Sequence, residues 1–225
     1  MTLRGVAPVD RPISLSRSAY LRLRHAIRDG TLVHNVLYSV NDVAETLEMS
    51  RTPVREALIE LTREGLVEVV SQRGFRLQEL TDSQRAEVFD LRSVIESRIV
   101  ERLAACATED HIKQLRVLID QQEGIASNAE QFLAVDEEFH LLMPRLLGLE
   151  RFHHLLNELR GAQWLIGSTA LGVPERIPAV LAEHRAIVDA IAAHDPAAAA
   201  NAVRLHLDQT SAAVTAQLRA GRQGY

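Results

Sequence analysis

The sequence has a single cysteine, Cys106, in 225 residues. One thiol excludes a disulfide framework and every cysteine-based zinc finger, and it matches the usage of a reducing compartment. Aromatic residues are scarce at 4%, which argues against a stacking platform for single-stranded nucleic acid. Glycine and proline number only 11 and 7, too few for a fibrous or low-complexity chain. No apolar run approaches the roughly 18 residues of a membrane span. The stretch from Met1 to Asp10 lacks the apolar core of a secretion signal. The expectation is a soluble, cytoplasmic protein with no membrane partner. Its length suits one or two globular domains.

The formal charge of −5 counts against nucleic acid as a partner, but it is unevenly spread. Residues 1–78 hold 11 arginines and no lysine against 9 acidic residues, a net of +2. Residues 79–225 hold 14 basic and 21 acidic residues, a net of −7. The split suggests a small polyanion-binding module, 1–78, joined to a body, 79–225, that binds something else.

In the first part, Tyr20, Leu23 and Ile27 repeat at helical spacing and predict a helix from Ser16 to Asp29, stopped by Gly30. Ser39 with Asp42 has the capping-box pattern for a short second helix that buries Val43, Ala44 and Leu47. Glu48-Met49-Ser50 is a tight turn. Ser50 then caps a third helix running to Glu64, with Pro53 in its first turn, where a missing N–H is harmless. Its inner stripe is Val54, Ala57, Leu58 and Leu61. The period then changes: 66–70 reads as a strand, 71–74 as a turn and 75–77 as a return strand. Three helices followed by a hairpin make a winged helix-turn-helix.

The string Ser50-Arg51-Thr52-Pro53-Val54-Arg55-Glu56-Ala57-Leu58, followed by Glu64-Gly65-Leu66-Val67 and Arg73-Gly74, resembles the DNA-binding domain of GntR-type bacterial transcription regulators. The N-terminal end of a recognition helix enters the major groove. Arg51 and Arg55 share one helix face, and arginine can reach guanine O6 and N7 bidentately. Thr52 suits a phosphate or a base edge, and Arg73 with Gly74 at the wing tip suits backbone or minor groove. Arg22 or Arg24 would touch phosphate. The bland alternative for Arg55 is a solvated arginine paired with Glu56 or Glu60. The chain departs from the family at His34-Asn35, where Pro-Gly is frequent, and at Glu48, where Gly is frequent. Asn tolerates the left-handed backbone that Gly would supply.

Beyond Thr81 no strand signal appears. Thr81 with Gln84 opens a helix to about Ala105 with a stripe of Val88, Leu91, Ile95 and Ile99. Thr108 opens a second, through Leu115, Leu118 and Ile119. Asn128 with Gln131 opens a third, to about Leu147, with a kink expected at Pro144. A fourth is expected from Glu150 to Leu171, and a fifth from Glu175 to Ala193 after Pro174. Asp195-Pro196 opens a sixth, to about Ala220, ahead of a frayed tail. The fold class is therefore mainly α: a winged helix-turn-helix followed by an all-helical bundle of about six helices.

This second part resembles the helical effector-binding domain, FCD type, of the FadR subgroup of the same family. The residues that carry the likeness are Asp90-Leu91-Arg92 with Glu96, then 136–140, then Glu183-His184 with the apolar run after them, and His206. Asp136 and His140 are i and i+4, so they stack on one helix face and can converge on one ion. His184 and His206 stand on two other helices in apolar contexts. For any one buried histidine, a hydrogen-bonded core residue is the ordinary reading. Asp136, His140, His184 and His206 together match the subgroup's metal-binding pattern residue by residue. The resemblance thus implies a divalent transition metal, Zn²⁺ or Ni²⁺. Some members of the subgroup lack the metal and bind fatty acyl groups, but this chain has all four ligands.

An ion held this way keeps positions open for a carboxylate, and Arg92 could pair with the same group. The ordinary alternative for Arg92 is an i, i+4 pair with Glu96. The resemblance implies a transcription regulator, read as a repressor. It would bind double-stranded operator DNA as a homodimer and respond to a small organic acid. Two alternatives stand beside it: a regulator that responds to the metal ion itself, and a metal-dependent hydrolase. The hydrolase lacks an evident acid/base set beside the ligands. Glu137 and Glu138 are candidates, and they are expected to face solvent or a partner.

Overall fold

A computed structural model describes residues 13–170 and 176–223, with backbone alone at 130, 162–170 and 221–223. The described residues form two compact units, one of 13–63 with 67–77, the other of 64–66 with the residues from 78 onward.

In the first unit, α1 (Leu15–Arg28), α2 (Val40–Thr46) and α3 (Arg51–Arg63) precede the antiparallel strands β1 (Val67–Val70) and β2 (Gly74–Leu77). Ser14 caps α1 by accepting from Arg17 N–H. The predicted stripes are the buried faces: Tyr20, Leu23 and Ile27 on α1, and Val54, Ala57, Leu58 and Leu61 on α3. These two helices pack on each other. Ser39 caps α2, but its hydroxyl accepts from Asn41 N–H rather than from Asp42 N–H. Asp42 is one methylene shorter than the Glu that a full capping box uses. Asn35 has φ 63° and Glu48 φ 53°, so both positions where glycine was replaced keep the left-handed backbone.

One feature of the hairpin is absent from the sequence pattern. Tyr38 forms an isolated bridge to Phe75, with Tyr38 N–H donating to Phe75 C=O at 2.8 Å and Phe75 N–H to Tyr38 C=O at 2.9 Å. The two rings stack with centroids 5.6 Å apart. A single extended residue leaves no period-2 signature to read.

The second unit holds α4 (Asp82–Cys106), α5 (Glu109–Gly124), α6 (Ala129–Leu146), α7 (Glu150–Ala170), α8 (Arg176–Ala192) and α9 (Pro196–Gln223). Capping boxes open α4 at Thr81 with Gln84 and α5 at Thr108 with His111. Asn128 caps α6, and Asp195 caps α9 by accepting from Ala198 N–H at 2.9 Å. Pro144 lies inside α6. The core joins Ile99, Leu103, Leu115, Phe139, Leu156, Ile187 and Val203 from all six helices. The expected boundaries at Leu171, Pro174 and Glu175, and the last two residues of the tail, lie outside the described residues.

Two expectations are corrected. The stripe read along α4 holds at Ile95 and Ile99 but fails at Leu91. Leu91 is 45% exposed, whereas Phe89, Arg92, Ile95, Glu96 and Ile99 are buried. At that end Phe89 and Arg92 take the inward positions, and Arg92 and Glu96 tolerate burial because they pair with each other. The last helix does not stop at Ala220 but runs on to Gln223.

Gly74 has φ 136°, and a Cβ there would lie 2.0 Å from the Tyr38 carbonyl oxygen. Gly74→Ala is therefore expected to destabilise the first unit by about 2–4 kcal/mol, combining backbone strain with a forced contact. Urea unfolding checks this. A change within about 0.5 kcal/mol, the range of a neutral surface substitution, would mean that the hairpin accommodates the methyl group.

Candidate functional site

Two sets of side chains stand out, one in each unit. In the first unit, Arg51, Arg55, Arg73 and Gly74 line one groove with Ser39, Asn41 and Gln72. Pro53 and Val54 turn inward at the start of α3, which leaves Arg51, Thr52 and Arg55 exposed on its outer side. Glu60, one candidate partner for Arg55, accepts instead from Arg17 at 3.3 Å. Among the described residues, the guanidinium groups of Arg51, Arg55 and Arg73 have no hydrogen bond or ion pair. Three unneutralised guanidinium groups along one groove make a surface suited to a polyanion. Gly74 bounds the groove, but its backbone is also required by the close approach to Tyr38. Arg22 is exposed, while the Arg24 guanidinium lies 5.9 Å from the Tyr20 ring.

In the second unit, Asp136 and His140 from α6, His184 from α8 and His206 from α9 come together in the bundle interior. All four are buried, and one candidate ligand atom from each lies within 4.8 Å of the others. Asp136 Oδ1 is 3.5 Å from His184 Nε2 and 4.0 Å from His140 Nε2. The imidazole centroids are 4.8–5.2 Å apart. Phe139 stacks on His184 at 4.2 Å and closes one side with an apolar wall. Each of the other six histidines is at least partly exposed.

The orientation of each ring is fixed from behind. His140 Nδ1 contacts Glu96 Oε2, His184 Nδ1 contacts Gln122 Oε1 at 2.9 Å, and His206 Nδ1 contacts Glu183 Oε2 at 2.7 Å. A carboxylate or an amide oxygen only accepts, so each Nδ1 carries the proton and each Nε2 presents a lone pair. His140 Nε2 and His184 Nε2 are buried with no hydrogen-bond partner. Desolvation of that kind is costly unless something else occupies the lone pair. Asp136 gives its second oxygen, Oδ2, to Arg160 and leaves Oδ1 toward the imidazoles.

Electrostatics keeps these groups in ligating form. Burial, reinforced by the Arg160 charge, lowers the His140 pKa to about 4 against the opposing pull of Glu96. Burial likewise holds His184 far below its usual value, with His206 adding to the effect. Burial alone would raise the pKa of Asp136, but the Arg160 charge more than offsets it and keeps the carboxylate ionised. Neutral imidazoles and an ionised carboxylate are the forms that bind a borderline cation. The donor set, three nitrogens and one oxygen, fits a divalent transition metal of the Zn²⁺ or Ni²⁺ kind.

Arg92 is 1% exposed and donates from Nε to Glu96 Oε1 at 2.8 Å, so the i, i+4 pair exists, deep in the interior. Arg160 is the residue that sequence reasoning missed. It is 3% exposed, holds Asp136, and its Nε and Nη1 have no hydrogen-bond partner. The only sequence signal is its place one turn after the buried Leu156. Glu137 was expected to face solvent or a partner, yet it is buried, while Glu138 is engaged by Arg145.

Comparison with known proteins follows the same division. A family model described as bacterial regulatory proteins, gntR family, matches residues 15–77, and an FCD domain model matches residues 87–209. The chain is 33% identical over 193 residues to an uncharacterised HTH-type transcriptional regulator in an unstable DNA locus of Streptomyces ambofaciens, covering 85% of this chain and 81% of the relative. It is 26% identical over 215 residues to the HTH-type transcriptional repressor RspR of Escherichia coli (strain K12), covering 94% of this chain and 91% of that protein. Among solved structures, that of E. coli McbR/YncC superposes with a TM-score of 0.81 at 20% identity, over 92% of this chain and 100% of the other, a likeness of fold.

If the four side chains hold one ion, His184→Ala lowers metal affinity by about tenfold or more, in line with the sensitivity of such sites. Metal content after purification and the melting temperature both fall. Full occupancy in the variant would remove His184 from the site.

Proposed function

The chain belongs to the gntR family of bacterial regulatory proteins and carries an FCD domain, and on that premise we propose that it is a repressor whose grip on operator DNA answers to a small carboxylate bound at a metal in the helical unit. The family is one of transcription regulators, not of enzymes. The hydrolase alternative therefore has no support.

Residues 1–78 read the DNA. Arg51 and Arg55 reach base edges in the major groove, Thr52 reaches phosphate or a base edge, and Arg73 with Gly74 carries the wing to the backbone. The three exposed guanidinium groups of that groove support this assignment. A homodimer places two such units on a pseudo-palindrome. Leu91 and Val94, 45% and 71% exposed on α4, are apolar surface that a second copy would cover.

Residues 79–225 bind the effector. Asp136, His140, His184 and His206 hold the metal, Zn²⁺ or Ni²⁺. The observation that carries this reading is that three imidazoles, each held at Nδ1, converge on Asp136 with the His140 and His184 Nε2 atoms buried and unpartnered. When bound, the ion supplies a Lewis-acid anchor for a carboxylate oxygen. Arg160 offers the same anion two buried N–H donors, and Arg92 adds its charge beside it. A dication together with the two open N–H donors of Arg160 favours an anionic effector over a neutral one. The effector acts only to the extent that it binds the DNA-competent and DNA-incompetent states unequally.

A thermal-shift screen of chelator-treated protein tests the effector site. Mono-, di- and tricarboxylates are added with and without Zn²⁺ or Ni²⁺. At 100 times its Kd an acid adds about 2.7 kcal/mol of stability, and it does so only in metal-loaded protein. If metal stabilises the chain and changes operator affinity while no acid adds anything, the metal-ion-responsive alternative holds. If neither metal nor acid has an effect, both readings fall.

For the DNA unit, Arg55→Ala is expected to weaken operator binding by about 1–3 kcal/mol and relax selectivity at one base pair. Unchanged affinity and footprint would remove Arg55 from base contact.

A further inference from the structure

Two of the three imidazoles are backed by the same three-residue arrangement. Arg92 donates to one oxygen of Glu96 at 2.8 Å, and the other oxygen of Glu96 meets His140 Nδ1. Arg176 donates from both terminal nitrogens to Glu183, at 2.5 and 2.8 Å, and Glu183 Oε2 meets His206 Nδ1 at 2.7 Å. A hydrogen-bond ring closes the second arrangement: Arg176 donates to Thr210 Oγ1 at 2.6 Å, and Thr210 donates to the His206 carbonyl at 2.8 Å. The third imidazole differs. Behind His184 stands the neutral amide of Gln122, whose Nε2 has no partner and behind which no arginine is recorded among the described residues.

Orienting a ring takes one acceptor, and a backbone carbonyl or an amide would serve. Burying a carboxylate for that purpose costs several kcal/mol unless a cation offsets it. Both Glu96, 0% exposed, and Glu183, with 9% of its side chain exposed, have that cation at contact distance. The chain thus maintains one buried and one largely buried ion pair where neutral acceptors would fit. A carboxylate raises the electron density of the imidazole, and so its strength as a metal donor, more than a neutral amide does.

We propose that Glu96 and Glu183, held in place by Arg92 and Arg176, are positioning residues that set the affinity and ligand field of the metal centre through His140 and His206. This rests on the metal reading given above. It adds a distinction among the three imidazoles: two are charge-assisted donors and His184 is not.

The test compares wild type with Glu183→Gln, which keeps an acceptor oxygen and loses the charge, and with the double variant Glu183→Gln/Arg176→Met, which strands no buried guanidinium. Zn²⁺ affinity is measured by competition with a chelating dye, and the visible spectrum of the Co²⁺-loaded protein reports the ligand field. The Zn²⁺ Kd is expected to rise about 10- to 100-fold in both variants, with displaced Co²⁺ bands. If the single variant does not fold, the double variant supplies the comparison. A purely structural role would lower the melting temperature of metal-free and loaded protein alike, with the Kd within twofold of wild type and the same spectrum, and that result overturns the proposal. Wild-type protein that binds neither ion overturns the metal reading itself, and this inference with it.

Discussion

A buried imidazole has two nitrogens, and each must find a partner or stay desolvated at a cost of a few kcal/mol. Three imidazoles share the interior of this bundle, and the arrangement around them follows from that constraint. The rear nitrogens are met by Glu96, Gln122 and Glu183. Glu96 and Glu183 would be intolerable inside an apolar bundle without Arg92 and Arg176, and Asp136 would be without Arg160. The front nitrogens of His140 and His184 remain open, in the interior of the bundle. The polar residues of the unit are best understood as a single chain of compensation that starts from those open lone pairs.

The first unit obeys a different economy. Its arginines are left uncompensated on the surface, and its constraint is close backbone approach. Gly74 meets the Tyr38 carbonyl where no side chain fits, and the Tyr38–Phe75 bridge ties the segment before α2 to the wing. The residue that brings the wing near α2 is thus the same one that bounds the groove lined by Arg51, Arg55 and Arg73. One unit thus shields its charges, and the other exposes them.

Much of this was legible in the residues. The stripes of α1 and α3, the caps at Thr81, Thr108, Asn128 and Asp195, and the left-handed turn at Asn35 followed from local chemistry that acts within a few residues. The four clustered ligand candidates were legible through a pattern spread over three helices. The face of α4 was not, because Leu91 and Arg92 differ by one position in a helix that packs against several others. Which flank turns inward is decided by what the neighbours offer. Arg160, Gln122 and Arg176 carried no signal strong enough to single them out. Each sits on a helix that looks amphipathic with or without it, and its role depends on a side chain 24, 62 or 7 positions away.

The amino-acid sequence by itself determined the winged helix-turn-helix, the helical body and the charge split between them, while the four clustered side chains were singled out through the resemblance to the FCD type. Periodicity, caps and charge are local properties of a chain and survive being read one residue after another. Only the tertiary structure decided which imidazole nitrogen faces inward, which acids back the rings and which arginines hold those acids. Those are questions of satisfying buried polar atoms, and a polar atom becomes buried only when helices distant in sequence close over it.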